Sequence, residues 1–242
     1  MKANTNRYIF IFSSVMVILV AVLLSVAAIG LGPLQAKNVR IEKMQNILGS
    51  VGIESETSEA ENLFNRYIEK QIILNNKGES ANSNLVAFDI DLKKELDKAR
   101  TGEAEKQLFP MFVCNKEGKL YYIIPVRGKG LWGPIWGYIA LEEDMNTIHG
   151  VSFGHKTETP GLGAKITSDE FQNEFKGKKI FDDAGNFVSV KVLKGTTASE
   201  NLHGVDAMSG ATVTSNGVSE MIERTLKNYI PYFESVKKGQ QQ

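Results

Sequence analysis

Hydrophobic and polar positions divide the chain into an apolar head, a helical middle and a strand-rich remainder. The head runs from Tyr8 to Ile29 as YIFIFSSVMVILVAVLLSVAAI, 22 residues without a charge. Wound as a helix at about 1.5 Å per residue it spans about 33 Å, enough to cross the hydrocarbon core of a bilayer. A cleaved leader has a shorter apolar core, about 7–15 residues. Ser25-Val26-Ala27 offers a small-x-small cleavage pattern, but the length favours a retained anchor, and no lipid-attachment cysteine follows. Gly32-Pro33 then predicts a break in the helix.

In the middle stretch Val39, Met44, Ile47 and Leu48 recur at near-helical spacing, which predicts a juxtamembrane helix. SETSEAENLFNRYIEKQIILN predicts a second, capped by Ser55 or Thr57 and apolar along Leu63, Phe64, Tyr67 and Ile68. The polar run NNKGESANSN closes this region, which reads equally as a stalk and as part of a domain surface.

From Asn84 the pattern turns to strands. NLVAFDI is a first candidate; MFVCN and LYYIIPV form a hairpin around the turn KEGK; RGKG leads into LWGPIWGYIAL; MNTIHGVSFGHKT reads as a further strand. SDEFQNEF predicts a short helix capped by Ser168 or Asp169, and FVSVKVL a strand. Val218, Met221, Ile222, Leu226, Tyr229 and Phe233 share one stripe of a closing helix from about Asn216. Strands first, helices interspersed and no regular βαβ alternation predict an α+β fold. The expected organisation is a transmembrane anchor over 1–35, a membrane-proximal helical region over 36–83, and a mixed α/β domain over 84–242. Apart from a GQQQ tail no stretch is of low complexity.

Charge narrows the function classes. Lys+Arg and Asp+Glu both total 28, and no basic stripe interleaves with aromatics, so nothing marks a nucleic-acid partner. Lys2 and Arg7 precede the apolar run while Lys37, Arg40 and Lys43 follow it, so positive charge does not choose the side of the membrane. Cys114 stands alone, which excludes an internal disulfide and an iron–sulfur cluster held by this chain by itself.

Common catalytic patterns are missing: no phosphate-binding glycine loop of either usual spacing, and no G-x-S-x-G elbow. His155 and Glu158 are three apart, but Pro160, Gly161 and Gly163 argue for a loop there and no third ligand stands out, so no metal site is expected. Trp132 and Trp136 would share one face of a strand, either as the core of a twisted hairpin or as a wall for a flat ligand. ETPGLGA reads as a loop stiff at Pro160 and permissive at its glycines.

The remaining feature is SGATVTS at 209–215, with Asp206 just upstream. Ser215 and Asn216 are good helix caps, which puts the run where helix N–H groups welcome a phosphate. A cap uses one or two hydroxyls and leaves the rest of the cluster unexplained. No neighbouring histidine or cysteine could activate a hydroxyl as a nucleophile.

Asp206-Ala207-Met208-Ser209-Gly210-Ala211-Thr212 resembles the D-x-x-[ST]-G-A-T signature of covalently flavinylated proteins, with Ala207 where glycine is frequent. Taken with GKGLWGPIWGYIAL and HKTETPGLGA behind one N-terminal span, the chain looks like the C-subunit family of the sodium-translocating NADH:quinone reductase. The related G subunit of the Rnf electron-transport complex shares the threonine signature and is the alternative within this group. A membrane-anchored binding module without redox chemistry is the alternative outside it.

The resemblance implies FMN esterified through its phosphate to Thr212 by a separate flavin transferase, with Thr214 the neighbour most easily mistaken for the acceptor. It implies that Asp206, Ser209, Gly210 and Ala211 form the attachment loop. Glu158, Thr159, Leu162 and Gly163 would line the ring with Trp132 nearby, and this chain would hold no catalytic residue of its own. It further implies one-electron relay toward the B subunit, partners including the B, D and E subunits, no activity of the chain alone, and a domain on the periplasmic side of a bacterial inner membrane.

Overall fold

The computed structural model describes residues 6–81, 84–195 and 200–239. Lys2, the last part of the expected polar loop at 82–83 and the end of the GQQQ tail lie outside them. The chain divides into two compact units, Met1–Lys43 and Met44–Gln242.

The first unit belongs to α1, which runs Asn6–Gly49 as one helix with Pro33 inside it. The expected break at Gly32-Pro33 is therefore absent. A single proline removes one backbone hydrogen bond, and the turns on either side keep theirs. Apolar side chains from Tyr8 to Leu34 are exposed along a helix long and apolar enough to cross a membrane.

The second unit is built on a five-stranded antiparallel meander: β1 (Ile68–Leu74), β2 (Phe109–Lys116), β3 (Lys119–Lys129), β4 (Pro134–Leu141) and β5 (Ile148–His155), in sequence order across the sheet. The β2–β3 hairpin forms where expected, Lys116 opposite Lys119. Its turn requires left-handed backbone at Glu117 (φ 56°) and Gly118 (φ 82°), which suits a two-residue connection. One face of the sheet packs on α5 (Thr212–Lys227) and α6 (Ile230–Gly239), joining Phe109, Ile124 and Val126 to Val218, Met221, Leu226 and Phe233 in one core. The Tyr229 hydroxyl, fully buried, donates to the Pro110 carbonyl at 2.8 Å. Phe64, Phe88 and Phe112 meet edge to face in a further cluster. With Met44, Ile47, Leu48 and Val51 also buried, residues from 44 onward are part of the compact domain.

Several elements differ from expectation. The helix expected to run through Asn75 stops at Tyr67, where α2 (Ala60–Tyr67) gives way to β1. Pairing with the buried strand β2 overrides local preference, and it buries Ile68, Ile73 and Leu74. NLVAFDI is no strand; it holds a single 3₁₀ turn at Ala87–Asp89. An unexpected helix α3 (Leu92–Arg100) follows, capped by Asp91, whose side chain accepts from the Lys93 N–H. FVSVKVL is reduced to β6 (Lys191–Leu193), parallel to β7 (Gly204–Asp206).

The helix α4 (Asp169–Asn173) opens at Ser168 as expected. The closing helix is two helices, and the first starts at Thr212, four residues before Asn216. Trp132 sits in the β3–β4 turn and only Trp136 in β4, so the two do not share a strand face. The α+β class and the single N-terminal apolar helix agree with the sequence reading.

Candidate functional site

The hydroxyl-rich run is delivered by β7, which ends at Asp206, through a tight turn into α5. Ala211 donates its N–H to the Met208 carbonyl at 3.1 Å, and Gly210 takes a φ of 74°. A Cβ at Gly210 would lie 2.9 Å from Leu162 Cδ2, so the turn is seated against Leu162, and its left-handed backbone favours glycine. Ala211 occupies the N-cap without a side-chain cap, so the first amides of α5 keep donors free for a ligand or water. Ser215, expected as a cap, is instead a buried residue of the helix's first turns.

The two threonines of this run have opposite surroundings. Thr212 is the first helical residue and is exposed, with Val213 53% exposed beside it. Thr214 is 1% exposed, and its hydroxyl donates to Glu158 Oε2 at 2.6 Å. The Thr214 oxygen is thus committed inside the fold, while Thr212 stands at an exposed position.

Glu158 is the bracket that holds three segments together. One carboxylate oxygen takes the Thr214 hydroxyl of α5 and the other the Trp132 N–H at 2.8 Å from the β3–β4 turn. Its own N–H donates to His155 Nδ1 at 3.3 Å, at the end of β5. Burial alone would push the carboxyl up. The Thr214 hydroxyl and the backbone N–H groups of Trp132, Gly133 and Leu131 outweigh it and hold the group below the ordinary glutamate value of 4.5. Glycines leave room for this carboxylate. A Cβ at Gly130 would come 2.6 Å from Oε1, and one at Gly163 would strike Oε2 and lie 2.7 Å from the Thr214 oxygen.

The expected site residues therefore sort into different roles. Glu158 and Gly163 are buried, Glu158 with both carboxylate oxygens bonded inside the fold. Thr159 serves its own loop, its carbonyl accepting from Leu162 at 3.1 Å and Ala164 at 3.2 Å. Leu162 and Trp132 are exposed, 41% and 66%. The Asp206 N–H donates to Glu174 Oε2 at 2.7 Å, and burial pushes the Glu174 carboxyl up. Ser209 and Gly210 are exposed in the turn. Sequence reading missed Glu174, whose partner is 32 residues away, and the exposed apolar residues Leu131 and Val213. The last two were visible as apolar neighbours of Trp132 and Thr212.

Residues 130–227 match the family model described as the FMN-binding domain. The C subunit of the Na(+)-translocating NADH-quinone reductase of Vibrio vulnificus is 32% identical over 232 residues, covering 90% of this chain and 91% of that relative. The same subunit of Neisseria meningitidis serogroup A is 32% identical over 246 residues, 93% of this chain and 95% of its own. This chain belongs to that C-subunit family.

Solved members of the C-subunit family carry the same fold. The protein from Parabacteroides distasonis is 42% identical, with a TM-score of 0.74 over 83% of this chain and 95% of its own. Shewanella oneidensis NqrC is 29% identical, with a TM-score of 0.70 over 82% of this chain and 98% of its own. The matched FMN-binding segment opens at Gly130 and closes at Lys227, so it contains all three parts that Glu158 ties together.

Proposed function

We propose that this chain is the membrane-anchored, FMN-carrying subunit of a Na(+)-translocating NADH-quinone reductase, and that Thr212 bears the flavin through a phosphoester. The observation that carries the reading is the contrast between Thr212, an exposed residue, and Thr214, which is buried with its hydroxyl bonded. The residues present fit such a group. An uncapped 16-residue helix offers N–H donors and the positive end of its dipole to a phosphate. Exposed Leu131, Trp132, Leu162 and Val213 offer apolar surface to a flat ring.

Attachment forms a bond from the Thr212 oxygen to the FMN phosphorus, breaks the phosphoanhydride of FAD, and releases AMP together with the hydroxyl proton. Glu158 does not serve as the base, because its two oxygens already hold Thr214 and Trp132. Activation comes from a separate flavin transferase. Bound FMN would supply one-electron transfer, and this chain's residues supply position and shielding. The B, D and E subunits are the proposed neighbours, with the domain on the periplasmic face of a bacterial inner membrane.

Peptide mass spectrometry of the full chain, made with and without the transferase, tests this. An FMN-sized gain on the peptide containing Thr212, absent in Thr212→Ala, is the expected result. A gain that persists in Thr212→Ala, or a native chain that never gains the mass, overturns the proposed attachment.

A further inference from the structure

Gly133 and Pro134, directly after Trp132, form part of the wall of a cleft of about 620 Å³, completed by α3, the end of β3 and the last turn of α5. Six cationic side chains line it: Lys93, Arg100, Arg127, Lys129, Lys156 and Arg224. One carboxylate, Asp97, belongs to the lining and pairs with Arg100 at 3.3 Å. Glu220, outside it, bonds Arg224 at 2.9 Å. Six cations less these two anions leaves an excess of four around one cavity, in a chain whose totals are 28 and 28.

Like charges gathered on one wall repel even in water, and a concave wall focuses their field on whatever enters. Arg224 is fixed in place. One Nη donates to the Arg127 carbonyl at 2.9 Å and the other to Glu220, while its buried Nε has no protein partner among the described residues. Leu96, Ala99 and Pro134 add apolar wall between the cations. The volume lies within the range of small-molecule sites, about 300–1,000 Å³.

We propose that this cleft is a second anion site, for an organic phosphate, distinct from the attachment site at Thr212. Arginine forks match phosphate oxygens two at a time, and the apolar wall accepts the organic part. Thr212 and Arg224 stand 12 residues apart on α5, which separates them by about 18 Å along the axis. A phosphate fixed on Thr212 is therefore out of reach of the Arg224 end of the cleft. The proposal does not depend on flavin attachment. The phosphate can come from a soluble ester or from an anionic lipid headgroup, and competition separates the two.

The test is calorimetric titration of the full chain in detergent with inorganic pyrophosphate. The native chain binds, and binding weakens as sodium chloride is added. Lys93→Glu with Lys156→Glu, both at exposed positions, weakens it by about tenfold or more, while Thr212→Ala binds as the native chain does. The milder Lys93→Ala shows a smaller loss in the same direction and covers the case in which the double variant melts early. Displacement of pyrophosphate by glycerol phosphate supports the site with a soluble ester as occupant. Displacement only by dihexanoyl phosphatidylglycerol supports it with a lipid headgroup as occupant. No heat of binding from the native chain, undiminished binding by both lysine variants, or binding lost in Thr212→Ala overturns it.

Discussion

A carboxylate that is 4% exposed would ordinarily be driven toward its neutral form, yet Glu158 is held in its charged form by donors from two other segments. Its value on folding falls below 4.5, so its contribution to stability is fully present above that pH and is lost as pH falls through the folded value. Glu158→Gln keeps the shape but turns an amide N–H toward groups that donate. We expect it to cost about 1.5–3 kcal/mol at pH 7, the range for hydrogen bonds to charged groups. In melting curves the gap between variant and native chain should close as pH drops below 4.5; a constant gap would show that the carboxylate's charge is irrelevant. The same substitution should also slow flavin loading of Thr212, because it frees the start of α5 from its anchor. At this scale the sequence was half legible. The signature pointed to Thr212, but Thr212 and Thr214 differ only in what lies across from them, and Glu158 is 56 positions from its hydroxyl partner. The glycines at 130 and 163 looked like loop formers, whereas their lack of a Cβ is what admits the carboxylate.

Elements whose partners are close in sequence were read correctly, and those defined by distant pairing were not. The β2–β3 hairpin carries its own turn chemistry, and Ser168 caps α4 by a local bond. By contrast β1 is a strand because β2 needs a neighbour, and its IEKQIIL pattern alone does not choose between helix and strand. The helix α3 was missed because its apolar stripe is thin: only Leu92 and the ion-paired Glu95 are buried. The start of α5 was set four residues late because its hydroxyls resemble caps, while the real N-cap, Ala211, has no side chain that could announce it. The junction of α5 and α6 is held to β2 by the buried Tyr229 hydroxyl. Tyr229→Phe leaves the Pro110 carbonyl without that donor, and urea unfolding should register a loss of about 1–2 kcal/mol with an unchanged slope. A change below a few tenths would mean the contact is worth no more than water.

For the molecule as a whole, the division at Lys43–Met44 separates an apolar helix with exposed side chains from a domain with its own core. A chain beginning at Met44 keeps the buried residues Met44, Ile47 and Leu48. It should be soluble without detergent, melt in one transition and, under the attachment proposed above, take up flavin on Thr212 to the same extent as the full chain. Aggregation or multiphasic melting of this fragment would show that the anchor is part of the fold rather than an attachment to it.

The in-order meander also has a consequence in time. Sheet strands pair with their neighbours in sequence, whereas α5 reaches the sheet through contacts such as Arg224 to Arg127 and, just past its end, Tyr229 to Pro110, separated by 97 and 119 positions. Closing long loops is slow, so the sheet should assemble early and α5 should dock late. In hydrogen exchange the amides of β3 and β4 should then outlast those at the start of α5 by orders of magnitude. Equal protection would contradict this order. The threonine seat, fastened to Glu158 across 56 positions, accordingly closes only after the sheet that positions Glu158 has formed, so a flavin carried there marks a chain whose sheet is already built.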